Sequence, residues 1–490
     1  MKTTMNQSYC NSAISLYNDF GIAYDAASSR HFLISLVGRQ LLSELINGRE
    51  ITKEVLQNLL ITEKDYHEFI TWCESHGFVD KDSRWVAKLE RFNINNNSNL
   101  KGPLVVFIET TSTCNLHCRH CFNDAGQKGL KELTLSELDD FFSELRLNGT
   151  LTVVLTGGEA LMRPDIFDVI MAAKKHGLAV CLESNATLID VKIANQLKTF
   201  GINSVQVSLQ GSLFYHDYIR GAGSFMQATD GIRCLTSIGI AVSIRMDLSK
   251  ENIKDIPFVV STADDLGCNA VLLALTKNTG RAKNNARIFP RLEGEDIYQL
   301  VKTISSVIPI SKCVIQFPPF LYSLLDEDTL MQYSILQCKT DNSEAVSFSH
   351  CNAGQVACIC DSKGNIFPCG FIRSSDFCAG NIRQIPFNVI WNESPQLNKF
   401  RKKESNQLCE GCSLFRSVCS SGCRARVILA SGNLSGPDPY CVEQHGSKKR
   451  DSDHILEVIK ASFINTTPTE LPSNNPIIIR DMTYLNANCL

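Results

Sequence analysis

Cys114, Cys118 and Cys121 fall in one short run, Cys114-Asn115-Leu116-His117-Cys118-Arg119-His120-Cys121, with the spacing C-x3-C-x2-C. Thiolates are soft metal ligands. A structural zinc site wants four ligands and usually shows them as paired C-x2-C units. Three thiolates from a single loop suit three corners of a [4Fe–4S] cube and leave the fourth iron open; three buried or zinc-bound cysteines are the plainer alternative. Further on, Thr156-Gly157-Gly158-Glu159 places two glycines, which let backbone approach a ligand closely, beside a carboxylate that can hold an ammonium.

Both motifs need strands to deliver them. The cysteines follow the apolar run Pro103-Leu104-Val105-Val106-Phe107-Ile108, which reads as a buried strand. Strand candidates recur at Leu104–Ile108, Leu151–Leu155, Leu178–Leu182, Ser204–Leu209, Ala241–Arg245 and Ala270–Leu275. Helical stretches alternate with them near Ser136–Leu147, Asp165–His176, Ile189–Phe200, Met226–Ile238 and Asn252–Leu266. Such alternation predicts a parallel α/β sheet with right-handed crossovers. Six units make a partial (β/α)6 barrel rather than the closed eight. The Gly-Gly-Glu segment, Glu183-Ser184-Asn185 and Ser208-Leu209-Gln210-Gly211 all fall at the carboxyl ends of strands, where such sheets place their chemistry.

At 490 residues the chain has room for two to four domains, and its 44% apolar and 20% charged content is that of an ordinary well-cored protein. A net charge of −3 disfavours nucleic-acid binding as the main role. No stretch approaches the ~18 unbroken apolar residues of a membrane helix, and the start, Met1-Lys2-Thr3-Thr4-Met5-Asn6-Gln7, has no apolar signal core. A cytoplasmic protein with no membrane segment is expected. Disulfides are rare in that compartment, so 21 cysteines, eleven of them between Cys338 and Cys441, point to metal.

C-x3-C-x2-C after a first strand, followed by Gly157-Gly158-Glu159, resembles the radical S-adenosylmethionine (SAM) enzymes. The resemblance implies a [4Fe–4S] cluster on Cys114, Cys118 and Cys121 whose open iron chelates SAM. Reduction then cleaves SAM to a 5′-deoxyadenosyl radical, chemistry that needs low oxygen. By the same resemblance Gly157, Gly158 and Glu159 grip the methionine amino group, and Ser184, Asn185 and Ser208 contact ribose or carboxylate. Arg220, in the phrase "HDYIRGAGSF", pairs with the SAM carboxylate, and His120 takes the place of an aromatic beside the adenine. Ser208 and Asn185 read equally as satisfied polar groups at a barrel rim, and the Arg of Gly280-Arg281-Ala282 as structural. Gln210 departs from the family, where Asp is frequent; an amide is no general base at neutral pH, so none is assigned there.

The second cysteine field runs Cys351-x12-Gly364-x4-Cys369, then Cys409-x2-Cys412-x6-Cys419-x3-Cys423, then Cys441. It resembles the SPASM domain, which carries two auxiliary [4Fe–4S] clusters, with one residue more than the usual x5. That implies a distal cluster on Cys409, Cys412, Cys419 and Cys441, and a proximal one on Cys351, Cys369 and Cys423. Cys338 is the nearest upstream candidate for the proximal cluster's fourth ligand. Cys358, Cys360 or an open iron are alternatives; Cys358, Cys360 and Cys378 also read as small buried apolar side chains. A zinc ribbon is the rival for the whole field.

Residues 1–92 read as a separate winged-helix-like domain. Strand candidates Ile14–Tyr17, Ile22–Tyr24 and His31–Ile34 precede helical patterns at Val37–Ile46, Lys53–Leu60 and Glu63–Ser75, and Gly77-Phe78-Val79 reads as a helix stop and returning strand. The order, with "LISLVGRQLLSELINGREIT" and "FITWCESHGFV", resembles the PqqD-like domains, which bind a precursor's leader as an added strand on an exposed sheet edge. A DNA-binding winged helix and a structural cap are the rivals. With 10 Lys+Arg against 12 Asp+Glu, a net of −2, the segment is poorly suited to phosphates.

The expected layout is a leader-recognition domain (1–92), an Asn-rich linker (93–102), a radical SAM partial barrel (103–310), a SPASM domain (311–445), and a tail (446–490) with a helix at Asp453–Ala461 and an apolar Ile477-Ile478-Ile479. The resemblance implies a radical SAM maturase of ribosomally made peptides. Leader docking raises the effective concentration of the core peptide, the radical takes a hydrogen, and an auxiliary cluster accepts an electron or holds a cysteine sulfur. A cysteine thioether is the expected product and a flavodoxin- or ferredoxin-type protein the expected electron donor. Carbon–carbon crosslinking, epimerisation and sulfatase-maturase-like formylglycine formation are alternatives. The non-enzyme alternative is an iron–sulfur redox sensor binding DNA.

Overall fold

The computed structural model describes residues 13–16, 21–25, 30–34, 36–47, 49–76, 78–79, 88–89, 101–126, 131–318, 321, 351–401, 409, 422–441 and 479–481. The chain divides into two compact units, one formed by the N-terminal segment with a tail strand, Ile479–Asp481, the other by the barrel and the second cysteine field.

In the first unit, β1 (Ala13–Leu16), β2 (Gly21–Asp25) and β3 (Arg30–Ile34) form an antiparallel meander. Helices α1 (Leu36–Ile46), α2 (Lys53–Asn58) and α3 (Glu63–Ser75) follow, and β4 (Lys88–Leu89) returns parallel to β1. Thr62 starts α3 through a reciprocal capping box: its Oγ1 accepts from Asp65 N, and its own N–H donates to the Asp65 carboxylate. Leu41, Leu42 and Leu45 recur at helical spacing and are buried against Leu56, Phe69, Ile70, Trp72 and Phe78, so the helices share one core with Ile34 at the end of β3. The tail strand adds antiparallel to β3, giving the order tail–β3–β2–β1–β4.

The second unit is built on β5 (Val105–Thr111), β6 (Thr152–Gly157), β7 (Ala179–Ser184), β8 (Ser204–Ser208), β9 (Ala241–Leu248) and β10 (Ala270–Leu275), six parallel strands in sequential order. Between them run α4 (Leu135–Leu147), α5 (Ile166–Lys175), α6 (Val191–Thr199), α7 (Leu213–Arg220), α8 (Ser224–Ser237) and α9 (Ile256–Asp265). This is the expected α/β partial barrel. Strand alternation sorts the side chains. Val106, Val153, Val180, Val205, Val242 and Val271 are in or near register across the sheet and are buried with the helices' apolar faces. Full burial of each such side chain is worth roughly 1.5–3 kcal/mol. The opposite face carries Glu109, Thr156, Glu183, Ser208, Arg245 and Asp247.

Several elements were not anticipated, among them one helix and four strands. Helix α7 precedes α8, whose start is capped by the Asp217 carboxylate accepting from Gly223 N (2.6 Å) and Phe225 N (2.9 Å). Strand β11 (Val314–Gln316) adds parallel to β10, and β12 (Ala357–Cys360) adds parallel to β5, followed by antiparallel β13 (Asn365–Phe367) and β14 (Gly380–Asn381). The second cysteine field therefore continues the barrel sheet as a ten-stranded whole. The linker 93–100, the helix at Asp453–Ala461, Gly77, Cys338, Cys412 and Cys419 lie outside the described residues.

Candidate active site

The cysteine loop leaves β5 and is clamped from two directions. Below it, Gly158 N donates to Thr111 O and Glu159 N to Thr113 O, each at 2.9 Å. A Cβ on Gly158 would run into the Thr113 carbonyl, so the Gly-Gly turn is what lets the second strand's end lie against the cysteine loop. From the far side of the barrel, Arg281 is buried and donates its Nε to Cys118 O (2.7 Å), its Nη1 to Ala125 O (2.7 Å) and Asp124 Oδ1 (2.9 Å), and its N–H to Cys121 O (2.8 Å). Gly280, at φ +54°, has no room for a Cβ between the Cys121 and Phe122 carbonyls.

Cys118 acts electrostatically on both Cys114 and Cys121, so the three sulfurs lie near one another. Burial pushes Cys114 up to about 11 against the Leu116 N–H donated to its sulfur, with Cys118 and Cys121 adding to the rise. Metal binding offsets such a penalty by holding the thiolate. Among the described residues no three His, Cys, Asp or Glu side chains converge as ligands of a single metal ion would.

Glu159 is almost fully buried, and burial raises its carboxyl. It accepts from Asn185 N (2.7 Å), Ser184 Oγ (2.9 Å) and Leu161 N (3.2 Å), which orients it and leaves part of its acceptor capacity free. Asn185 in turn donates to Asn115 Oδ1 (2.8 Å), bracing the cysteine loop, and accepts from Thr187. Ser184 and Asn185 thus position Glu159 and the loop. Among the described residues, two buried nitrogens nearby, Arg220 Nε and His120 Nδ1, have no partner. Arg220 acts electrostatically on both Glu159 and His120. Arg220 Nε is a donor and His120 Nδ1 donates or accepts according to its tautomer; a buried unpaired polar group costs about 1–3 kcal/mol, and a ligand carrying a carboxylate and a purine would relieve both, so these residues fit SAM. Ser208 ends β8 on the same interior face, opposite Arg245 in register.

The rest of the interior wall is charged, which the sequence did not reveal. Thr156 Oγ1 donates to Glu183 Oε2 (2.9 Å), and Arg245 donates to Asp247 Oδ1 through Nη2 (3.0 Å) and Nε (3.2 Å). Burial works to raise Asp247, and Arg245 and its neighbours reverse this and hold it at about 2. Gln210, where no base was assigned, accepts from Asp247 N through its side-chain oxygen at 2.8 Å and so braces that strand. Arg373, after β13, binds Glu109 with Nη2 at 2.6 Å and Nη1 at 2.8 Å, and Asn123 donates to Glu109 Oε1 and Gly157 O. The sequence signals were Glu183, already placed at a strand's carboxyl end, and a carboxylate, Glu109, directly after the apolar run of the first strand.

In the second field Cys351, Cys369 and Cys423 come together in an apolar shell with Ala353, Phe371, Phe400 and Ala425. Burial first, then Cys423 and Cys351, pushes Cys369 up to about 12. The Lys277 ammonium lies 3.8 Å from the Phe371 ring centre and acts on Cys369. Asp438 ties the group to the next segment: it accepts from Cys423 N (2.6 Å) and from Arg426, and its carbonyl accepts from Cys441 N (2.8 Å). Cys358 and Cys360 pack instead within the large barrel core on β12, Cys378 is half-buried, and Cys409 is buried.

The radical SAM superfamily profile matches residues 108–263, and an iron–sulfur cluster-binding (SPASM) domain profile matches residues 351–413. The AdoMet-dependent heme synthase of Methanosarcina barkeri is 30% identical over 351 residues, 71% of this chain and 98% of that protein. The chain belongs to the radical SAM superfamily. The mycofactocin maturase MftC of Mycobacterium tuberculosis is 28% identical over 353 residues, covering 71% of this chain and 84% of the relative. Among solved structures, Streptococcus suis SuiB aligns with a TM-score of 0.61 at 17% identity, covering 90% of this chain and all of that one, and so shares the fold. Membership brings a [4Fe–4S] cluster used with SAM, and the SPASM domain brings auxiliary iron–sulfur clusters. No helix among the described residues is long and apolar enough to cross a membrane.

Proposed function

We propose that this radical SAM protein modifies a ribosomally made precursor peptide, closing a thioether between a cysteine sulfur and a peptide carbon. The observation that carries the reading is a sheet in the first unit that already accepts an added strand on β3, the mode by which a PqqD-like domain takes a leader. SuiB, which shares the fold, has a structure bound to its precursor peptide, and MftC is named a maturase. In this reading residues 1–92 recognise the leader, 103–310 form the radical barrel and 311–445 the auxiliary-cluster domain.

Cys114, Cys118 and Cys121 would hold the SAM cluster. Cys351, Cys369 and Cys423, with Cys338, would hold the proximal auxiliary cluster, and Cys409, Cys412, Cys419 and Cys441 the distal one. Arg220 and His120 would meet the carboxylate and adenine of SAM, with Gly157, Gly158 and Glu159 at its ammonium, and Ser184, Asn185 and Ser208 lining the pocket. When bound, these cofactors supply one-electron cleavage of SAM and hydrogen abstraction from carbon. The chain's own part is to fix the cysteine loop through Arg281 and Gly158, to orient Glu159 through Ser184 and Asn185, and to line the barrel with fixed charge. A flavodoxin- or ferredoxin-type protein is the proposed electron donor.

The test is anaerobic turnover of the reconstituted protein with SAM, a strong reductant and peptides encoded by short reading frames beside its gene. Loss of two hydrogens per modified cysteine, with alkylation of that thiol blocked, is expected. A second reading, action on a porphyrin-type substrate, is favoured by the identity to the heme synthase. Conversion of such a substrate, with no peptide losing mass, would replace the first reading.

A further inference from the structure

The sheet of the first unit has two unequal edges. On one side β4 offers two residues, Lys88–Leu89, while on the other β3 offers five, Arg30–Ile34. An extended antiparallel ligand gains a set of main-chain hydrogen bonds with every second residue pair, so the longer edge is the better receiver. That edge carries this chain's own tail: Ile479 stands opposite Ile34, Arg480 opposite Leu33 and Asp481 opposite Phe32, antiparallel. The partners are separated by nearly the whole sequence, so the pairing is no local hairpin. The strand continues the run Ile477-Ile478-Ile479, β-branched residues that favour extended structure.

We propose that the tail strand is a built-in competitor for the leader. It occupies by strand addition the β3 edge on which a precursor's leader adds, so that tail and leader exclude each other and leader binding releases the tail. The inference rests on the peptide-maturase reading above. The three described residue pairs make a weak contact, and a tether supplies an effective concentration of order 1 mM. If the tail's intrinsic dissociation constant is ~100 µM, the edge is open about a tenth of the time, and apparent leader affinity falls about tenfold. The plainer alternative is a tail that merely shields an edge from aggregation; a shield need not yield to the precursor.

The probe is a fluorescein-labelled synthetic peptide with the sequence of residues 473–486. It is titrated against the intact protein, a chain ending at Glu470, and the intact chain carrying Ile479→Pro with Arg480→Pro. Successive amides of a strand point to opposite sides, so one of these two prolines removes a hydrogen bond to β3. The probe is expected to bind the shortened and double-proline chains at least about tenfold more tightly than the intact one, and the precursor that loses mass in turnover should displace it. Equal binding to all three chains, or binding to none, overturns tail docking. A precursor that is modified yet fails to displace the bound probe overturns the exclusion while leaving the maturase reading standing. Tight probe binding to the shortened chain, with no peptide modified, removes the leader and with it the competitor role.

Discussion

At the carboxyl ends of β5 to β9 the barrel wall is a network of side chains, Glu109 on Arg373, Thr156 on Glu183 and Arg245 on Asp247, whereas the N-terminal sheet receives its added strand through the backbone of β3. The barrel holds its side chains by burying charge with hydrogen-bonding partners, and the order fails if one partner is lost. The sheet edge binds whatever is extended and can exchange one occupant for another. Radical chemistry needs the first kind of order, because a misplaced reactive carbon attacks the wrong bond. Recognition of a disposable leader needs the second.

That contrast breaks most sharply at Arg373. Removing it as Arg373→Ala leaves the Glu109 carboxylate buried without its guanidinium, an uncompensated charge costing about 3 kcal/mol. Chemical denaturation should show this loss, and Glu109→Gln in the same chain should recover most of it. A neutral Arg373→Ala would show that the wall is not held by charge pairing.

Next is Gly158→Ala, whose Cβ would collide with the Thr113 carbonyl and approach the Cys114 Cβ to 2.9 Å. Displacing the cysteine loop by even an ångström should cut 5′-deoxyadenosine formation roughly 100-fold. The double proline at 479 and 480, in the other region, should leave SAM cleavage unchanged; a matching loss there would erase the distinction between the regions.

A smaller effect is expected at Arg281, which touches loop carbonyls rather than sulfurs. Arg281→Ala should lower iron retention roughly 10–100-fold, as loss of an outer-shell group typically does. Arg281→Lys should rescue little, since one ammonium cannot reproduce the planar fork that reaches Cys118 O and Ala125 O together. Iron content after gel filtration against a chelator measures both.

The smallest effect belongs to the surface pair Arg383–Glu137. The Arg383 side chain holds the Glu137 carboxyl down at about 2. A depressed folded-state value contributes stability present above the ordinary carboxylate range and lost as pH falls through that range toward 2. Both groups are about a third exposed, so Arg383→Ala should cost under about 1 kcal/mol at pH 7, and the difference from the parent should vanish in acid.

The sequence disclosed what depends on residue type and spacing. Cys114, Cys118 and Cys121, the Gly-Gly-Glu turn, the six barrel strands and the three N-terminal helices were all legible, because a thiol triplet, a glycine pair and a period of two or 3.6 are local signals. What it hid are pairings between distant segments. Arg373 meets Glu109 across 264 positions, and Arg281 reaches Cys118 across 163. Strand β12, Ala-Cys-Ile-Cys, was hidden by its cysteines, which read both as alternative ligands and as small buried apolar side chains; Cys358 and Cys360 pack in the barrel core, as the second reading has it. The tail strand was visible only as three isoleucines in a polar stretch, since strand addition is written in backbone atoms that every residue shares.

Cys114, Cys118 and Cys121 are proposed to carry the cluster at which SAM is cleaved. The most direct test is on protein purified and reconstituted without oxygen: iron and sulfide are counted, then SAM and a strong reductant are added and 5′-deoxyadenosine is measured. About twelve irons are expected, as three [4Fe–4S] cubes require, with deoxyadenosine that disappears in Cys114→Ala. Zinc in place of iron, with no deoxyadenosine formed, would contradict it.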